Sequence, residues 1–156
     1  MENTSLTLQD MYAFLSEKWD SEERAVFHLA LFQGLRCNEI YDLKWENIDF
    51  DKFLITANGR TRRLDVITAY LLQDCKRATG ERVFSRFQTY NSFRVWLTKK
   101  LKNHEGITIS ALNKVHIATM MGLGIGNNVL CKMLGLSHSR LNGIRQPLSE
   151  MASGLN

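Results

Sequence analysis

Residues 48–67 constrain the fold of this chain more than any other stretch. Ile48-Asp-Phe-Asp-Lys-Phe-Leu-Ile-Thr-Ala57 and Arg60-Thr-Arg-Arg-Leu-Asp-Val-Ile67 flank the pair Asn58-Gly59. Asn-Gly between two runs rich in β-branched and aromatic residues predicts a tight antiparallel hairpin, because both turn positions need positive φ and these residues tolerate it. On either side of this stretch the apolar residues recur at helical spacing instead. A mainly α protein with one small antiparallel β-sheet, placed after the third helix, is the expected fold class.

The helices can be delimited from their caps. Thr7-Leu-Gln-Asp10 has the form of a capping box ahead of Met11, Tyr12, Phe14 and Leu15, which predicts a first helix ending near Lys18. Asp20-Ser-Glu-Glu23 opens a second, running through Ala25, Val26, Leu29, Ala30 and Phe32 to Gly34, a natural terminator. Cys37 to Leu43 reads as a third, short helix. Beyond residue 67 helices are predicted near 67–79, 90–103, 110–122, 127–135 and 138–146.

Composition narrows the class. A chain of 156 residues fits one domain, and 44% hydrophobic with 23% charged residues is ordinary for a soluble globular protein. No apolar run approaches the ~18 residues of a membrane span, and MENTSLTLQD lacks the basic and apolar regions of a signal peptide, so a cytoplasmic protein without a membrane segment is expected. Cys37, Cys75 and Cys131 form no C-x-x-C pair, which points away from zinc clusters and disulfide frameworks. His28, His104 and His116 read as ordinary helix residues, and no metal or cofactor is expected. The net charge of +4 hides an asymmetry: residues 1–57 carry 11 acids and 5 bases, residues 58–156 carry 5 acids and 15 bases. A basic part on an acidic body fits a polyanion binder as well as a solvated basic face.

The order of elements, together with Gly34-Leu-Arg36-Cys-Asn-Glu39-Ile40, Leu43-Lys-Trp45 and Ile48-Asp49, resembles the catalytic domain of the tyrosine recombinases, the phage-integrase family, whose box reads G-L-R-x-x-E-[IL]. Fainter likeness at Ala118-Thr119 and Leu134-Gly135 extends it over most of the chain. The expectation is a single catalytic-domain-like unit over residues 1–156, without the amino-terminal DNA-clamping domain that many members carry.

The resemblance also implies a set of active-site positions. The family's chemistry uses a tyrosine nucleophile, two arginines and a histidine or related donor for the phosphorane-like transition state, and a lysine to protonate the leaving oxygen. Arg36 stands at the first arginine position. The hairpin that should carry the lysine offers Arg60, Arg62 and Arg63, which hold their protons too tightly for a general acid. The box of histidine and arginine three positions apart becomes Ala111 and Lys114, which loses the planar fork. The family's L-G-H-[SA] becomes Leu134-Gly135-Leu136-Ser137, and the nucleophile position, nine residues past Leu136, is Arg145. The tyrosines are Tyr12, Tyr41, Tyr70 and Tyr90. Ser137 and Ser139 beside His138 lack an orienting acid. The resemblance therefore implies the family's frame with Arg36 and Lys114 as vestiges, and a chain that is not an enzyme.

The segment from Asn127 to Arg145 also reads as a helix-turn-helix. With Gly135 at the turn, Leu130, Leu134, Leu136, Leu141 and Ile144 occupy inward positions and Cys131 the close approach. His138, Ser139, Arg140, Asn142 and Arg145 then lie on or beside a recognition helix, where they can meet base edges or phosphates; the alternative is a hairpin packing within the core. Arg60, Arg62 and Arg63, with Lys99, Lys100 and Lys102 after Phe93 and Trp96, would serve as nonspecific phosphate contacts, with Arg36 and Lys114 beside them.

The combined reading is a non-catalytic binder of double-stranded DNA, a transcriptional regulator or an accessory factor of a mobile element. Two rivals stay open. One is a divergent minimal recombinase with an unusual nucleophile. The other is a protein-interaction module docking through the old DNA face or through the tail Leu148-Ser-Glu-Met-Ala-Ser-Gly-Leu155. Family members commonly exchange their carboxy-terminal segment, so a homo-oligomer formed through it is compatible with the reading.

Overall fold

The computed structural model describes residues 6–75 and 80–144. Helix α1 (Leu8–Leu15) and helix α2 (Ser21–Phe32) each begin at a reciprocal capping box, Thr7 with Asp10 and Asp20 with Glu23. Helix α1 stops short of Lys18 because the Trp19 indole donates to the Phe14 carbonyl at 2.7 Å and folds the chain back. Helix α2 is the axis of the protein: Ala25, Val26, Leu29 and Ala30 have no exposed surface, and α4 (Val66–Cys75) and α6 (Ile109–Gly122) pack against it. At its end Gly34 takes φ +69°, which turns the chain into α3 (Cys37–Asp42).

The hairpin forms where predicted. Strands β2 (Leu54–Ala57) and β3 (Arg60–Arg63) pair antiparallel with Ala57 opposite Arg60, and Asn58 and Gly59 both take positive φ, 52° and 74°. The run 48–57 is divided, however. The Asp49 carboxylate accepts the N–H groups of Asp51 and Lys52 at 3.1 and 2.9 Å, a local turn that ends β1 (Ile48–Asp49) after two residues. β1 then pairs with β2 to complete a three-stranded sheet of order β1-β2-β3.

Helices α5 (Tyr90–Lys100), α6 and α7 (Asn127–Leu134) follow, with a further helix, α8, over residues 138–144. Between α7 and α8 Gly135 takes φ +68°. His104 corrects one expectation: it sits in the turn after α5, its Nδ1 3.1 Å from a Glu17 carboxylate oxygen. The apolar interior has two parts. The main core gathers around α2, whereas Ile117, Leu130, Leu134, Leu136 and Leu141 form a separate cluster between the end of α6, α7 and α8. The inward positions read from the sequence hold: Leu130, Leu134, Leu136 and Leu141 are buried, with Ile144 and Cys131 partly so.

Candidate functional site

Two arginines, Arg36 just ahead of α3 and Arg60 on β3, meet at the carboxy-terminal end of α7. Arg36 sits at the start of α3, where its backbone N–H donates to the Glu39 carboxylate at 2.9 Å. Its guanidinium reaches across the chain and donates from Nη2 to the carbonyls of Leu134 and Gly135, at 3.3 and 3.4 Å. A helix end carries partial negative charge on its unpaired carbonyls, so an arginine is favoured there. Arg60 lies against the same turn: a Cβ on Gly135 would stand 2.6 Å from the Arg60 Cζ. Its Nη1 also donates to the Asn58 carbonyl at 3.2 Å.

Arg62 does not fit its expected role as a surface phosphate contact. Alternation along β3 turns Arg60 and Arg62 to one face and Thr61 and Arg63 to the other. Arg62 is therefore 6% exposed, and its Nη1 donates to the Gln33 carbonyl at 2.6 Å. Burial pulls this guanidinium below its ordinary pKa; the Glu39 carboxylate opposes that shift, while Arg60 and Arg36 add to it. Arg63 remains exposed, as expected. We expect Arg62→Ala to destabilise the fold by about 1–3 kcal/mol, since it leaves the Gln33 carbonyl without its donor. Arg63→Ala should stay within about 0.5 kcal/mol of the parent. Denaturant unfolding of the two variants checks the contrast.

Beneath the arginines lie polar residues that sequence reasoning missed. Gln33, 2% exposed, donates to the Arg63 carbonyl at 2.9 Å and accepts the Asp65 N–H at 2.6 Å, so it ties the end of α2 to both β3 and the start of α4. Asn113 on α6 donates to the carbonyls of Ala30 and Leu35, at 2.9 and 2.8 Å, and fixes the turn that presents Arg36. His116 faces the same turn, its Nδ1 3.0 Å from the Leu31 carbonyl. The only local sign of these roles is their nearness to the Gly34 and Ala118-Thr119 boxes.

Burial also lowers the His116 imidazole from 6.5 to about 4. The unfolded chain takes up a proton near pH 6.5 that the folded chain refuses until about pH 4. Stability is therefore full above about pH 6.5 and falls as the pH drops towards 4, by at most about 3 kcal/mol from this group. Unfolding curves at about pH 7.5 and about pH 4.5 test this: His116→Gln, which cannot titrate, should show a flatter profile than the parent.

The remaining predicted residues divide by position. His138, Ser139, Arg140 and Asn142 are exposed on α8, whose first turn is capped by the Ser137 hydroxyl accepting the Arg140 N–H at 3.1 Å. Leu136, at the slot of the family's histidine, is buried in the carboxy-terminal cluster. Ala111 is half-buried in the first turn of α6, and Lys114 is exposed further along it. Lys99 and Lys100 end α5, where Lys100 Nζ pairs with Glu23 at 2.9 Å. Glu23 begins α2 and Gln33 ends it, so these lysines and the arginines are separated along α2 by about 15 Å at 1.5 Å per residue. Arg145 and the 148–155 tail lie outside the described residues. Among the described residues no group of His, Cys, Asp or Glu converges to hold a metal ion, and no helix is long and apolar enough to cross a membrane.

A central α2 enclosed by helices, with a three-stranded sheet inserted after α3, is a fold this chain shares with the catalytic domains of tyrosine recombinases of known structure. The chain overlays the XerA recombinase with a TM-score of 0.76 at 15% identity, covering 100% of this chain and 66% of that one. The integrase from mycobacterium phage Brujita gives 0.73 at 17% identity, covering 90% and 53%. The Tn1549 transposon integrase in complex with transposon right end DNA gives 0.68 at 16%, covering 92% and 62%.

In sequence, too, the chain is similar to tyrosine recombinases. It is 33% identical over 114 residues to a tyrosine recombinase XerD-like protein of Streptococcus thermophilus strain CNRZ 1066, and equally to that of strain ATCC BAA-250 / LMG 18311. The alignment covers 66% of this chain and 44% of each relative, so the chain spans less than half the length of the curated relatives it matches. No protein-family model matches it.

Proposed function

We propose that this chain binds double-stranded DNA without cutting it, as a regulator of transcription or an accessory factor of a mobile element. The observation that carries the reading is the Arg36 guanidinium, turned onto the carbonyls of Leu134 and Gly135 where the resemblance puts a phosphate. Further support comes from the buried Leu136 in the slot of a catalytic donor and from Ala111, Lys114 and Arg145 at the other family positions. The Tn1549 integrase, a structural neighbour, is in complex with transposon DNA, which favours DNA as the polyanion here. Exposed Arg63, Lys114 and Lys99 supply phosphate contacts, and His138, Ser139, Arg140 and Asn142 on α8 face the bases.

Two assays test the reading. Electrophoretic shift with duplex DNA should give binding that weakens on the order of 40–150-fold between about 50 and 200 mM salt, for three or four phosphates neutralised. A nicked suicide duplex should leave no covalent adduct under denaturing conditions. A trapped adduct would make the chain a divergent recombinase, and absence of DNA binding at low salt would leave a protein-interaction module.

A further inference from the structure

Helices α7 and α8 have their own apolar cluster, apart from the main core, and α7 meets the rest of the chain at β3 and the end of α6. Across that seam Arg36 donates through Nη2 to the Leu134 and Gly135 carbonyls, and the Arg60 guanidinium packs against Gly135. Gly135 itself is the joint. It holds φ +68° between the two helices, and its bare Cα leaves room for the Arg60 side chain. The two arginines thus grip the pivot from which α8 departs, and neither is on α8.

We propose that Arg36 and Arg60 are positioning residues that set the direction of α8, and so determine which DNA sequence the chain prefers rather than how tightly it holds DNA in general. The inference rests on the DNA-binding reading above and assigns these two arginines a different task from Arg63 and Lys114. A base-reading side chain gains only when its donors and acceptors meet a base edge in register, so a small rotation of its helix costs discrimination. Attraction to the phosphate backbone tolerates such a rotation, because it depends on charge rather than on a fixed hydrogen-bond pattern. A guanidinium that spends its charge on helix carbonyls contributes little to counterion release, whereas one on a phosphate adds about one unit to the salt slope.

The test compares the parent chain with Arg36→Ala and Arg60→Ala. The probes are duplexes enriched by the parent from a random-sequence pool, and the same duplexes scrambled. The expected result is a loss of preference for the enriched over the scrambled duplex by about 5-fold or more. Affinity for the scrambled duplex and its salt slope should be unchanged, and backbone amides over 127–144 should exchange faster while those of α2 stay protected. Arg60→Ala carries the test should Arg36→Ala fail to fold, because it leaves the Arg36 bonds intact. A uniform fall in affinity on both duplexes with a salt slope smaller by about one would mean that the arginines hold phosphates, and would overturn the inference. Exchange over 127–144 identical to the parent would overturn it as well. Failure of the parent to bind any duplex instead removes the DNA-binding reading itself; the exchange measurement then reports separately on whether the arginines hold α7 and α8 in place.

Discussion

Gly34→Ala should lower the unfolding free energy by about 2–5 kcal/mol, one of the two largest effects expected of a single substitution here. Two terms combine. Gly34 holds φ +69°, and an L-residue in this left-handed region costs about 1–2 kcal/mol. In addition, a Cβ there would stand 2.5 Å from His116 Cδ2 and 3.2 Å from Leu134 Cδ2. His116 is buried and bonded to Leu31, so it has little freedom to retreat, and overpacking of this kind costs about 1–3 kcal/mol. Gly59→Ala is the internal control. Its φ of +74° demands the same conformation, but nothing lies within 4 Å of its added Cβ, so only the backbone term of about 1–2 kcal/mol applies. Denaturant unfolding of both variants decides the matter. Equal losses would mean that the contact with His116 is not what makes glycine necessary at position 34.

That contrast marks where the sequence was legible. Gly34 was readable as a helix terminator because termination is local, a matter of one backbone torsion beside an apolar run. The same holds for the capping boxes at Thr7 and Asp20 and for the Asn58-Gly59 hairpin, each decided by residues within about four positions of one another. What Gly34 touches was not readable, since His116 lies far along the chain and arrives only when α6 packs on α2. Arg62 failed for a related reason. Three near-adjacent arginines look like a solvated patch, and only knowledge of which face of β3 meets the end of α2 separates the buried Arg62 from the exposed Arg63. Arg36 was found through the G-L-R box, yet the box implies a phosphate partner and not the carbonyl end of α7. The apolar positions of the carboxy-terminal segment succeeded because inward leucines around a turn glycine form a pattern in one short stretch.

Leu141→Ala should also cost about 2–5 kcal/mol, but the loss should be local. Leu141 has no exposed surface and packs with Ile117, Leu130, Leu134 and Leu136, a cluster distinct from the one around α2. A cavity there weakens the docking of α7 and α8 while leaving Ala25, Val26, Leu29 and Ala30 in place, so the segment should open without the rest of the chain unfolding. Amide exchange reads this directly. Protection over residues 127–144 should fall on the order of 30–5,000-fold, at about 1.4 kcal/mol per tenfold, while α2 amides keep parental rates under conditions where exchange there requires global unfolding with an intact main core. Arg140→Ala and Asn142→Ala on the exposed side of α8 should leave melting and exchange unchanged, yet reduce discrimination in favour of an enriched duplex by about 1–3 kcal/mol. If Leu141→Ala instead speeds exchange equally in α2 and α8, the two clusters unfold as one cooperative unit. The carboxy-terminal helices would then be coupled to the body too tightly for a change at Gly135 to redirect α8 on its own.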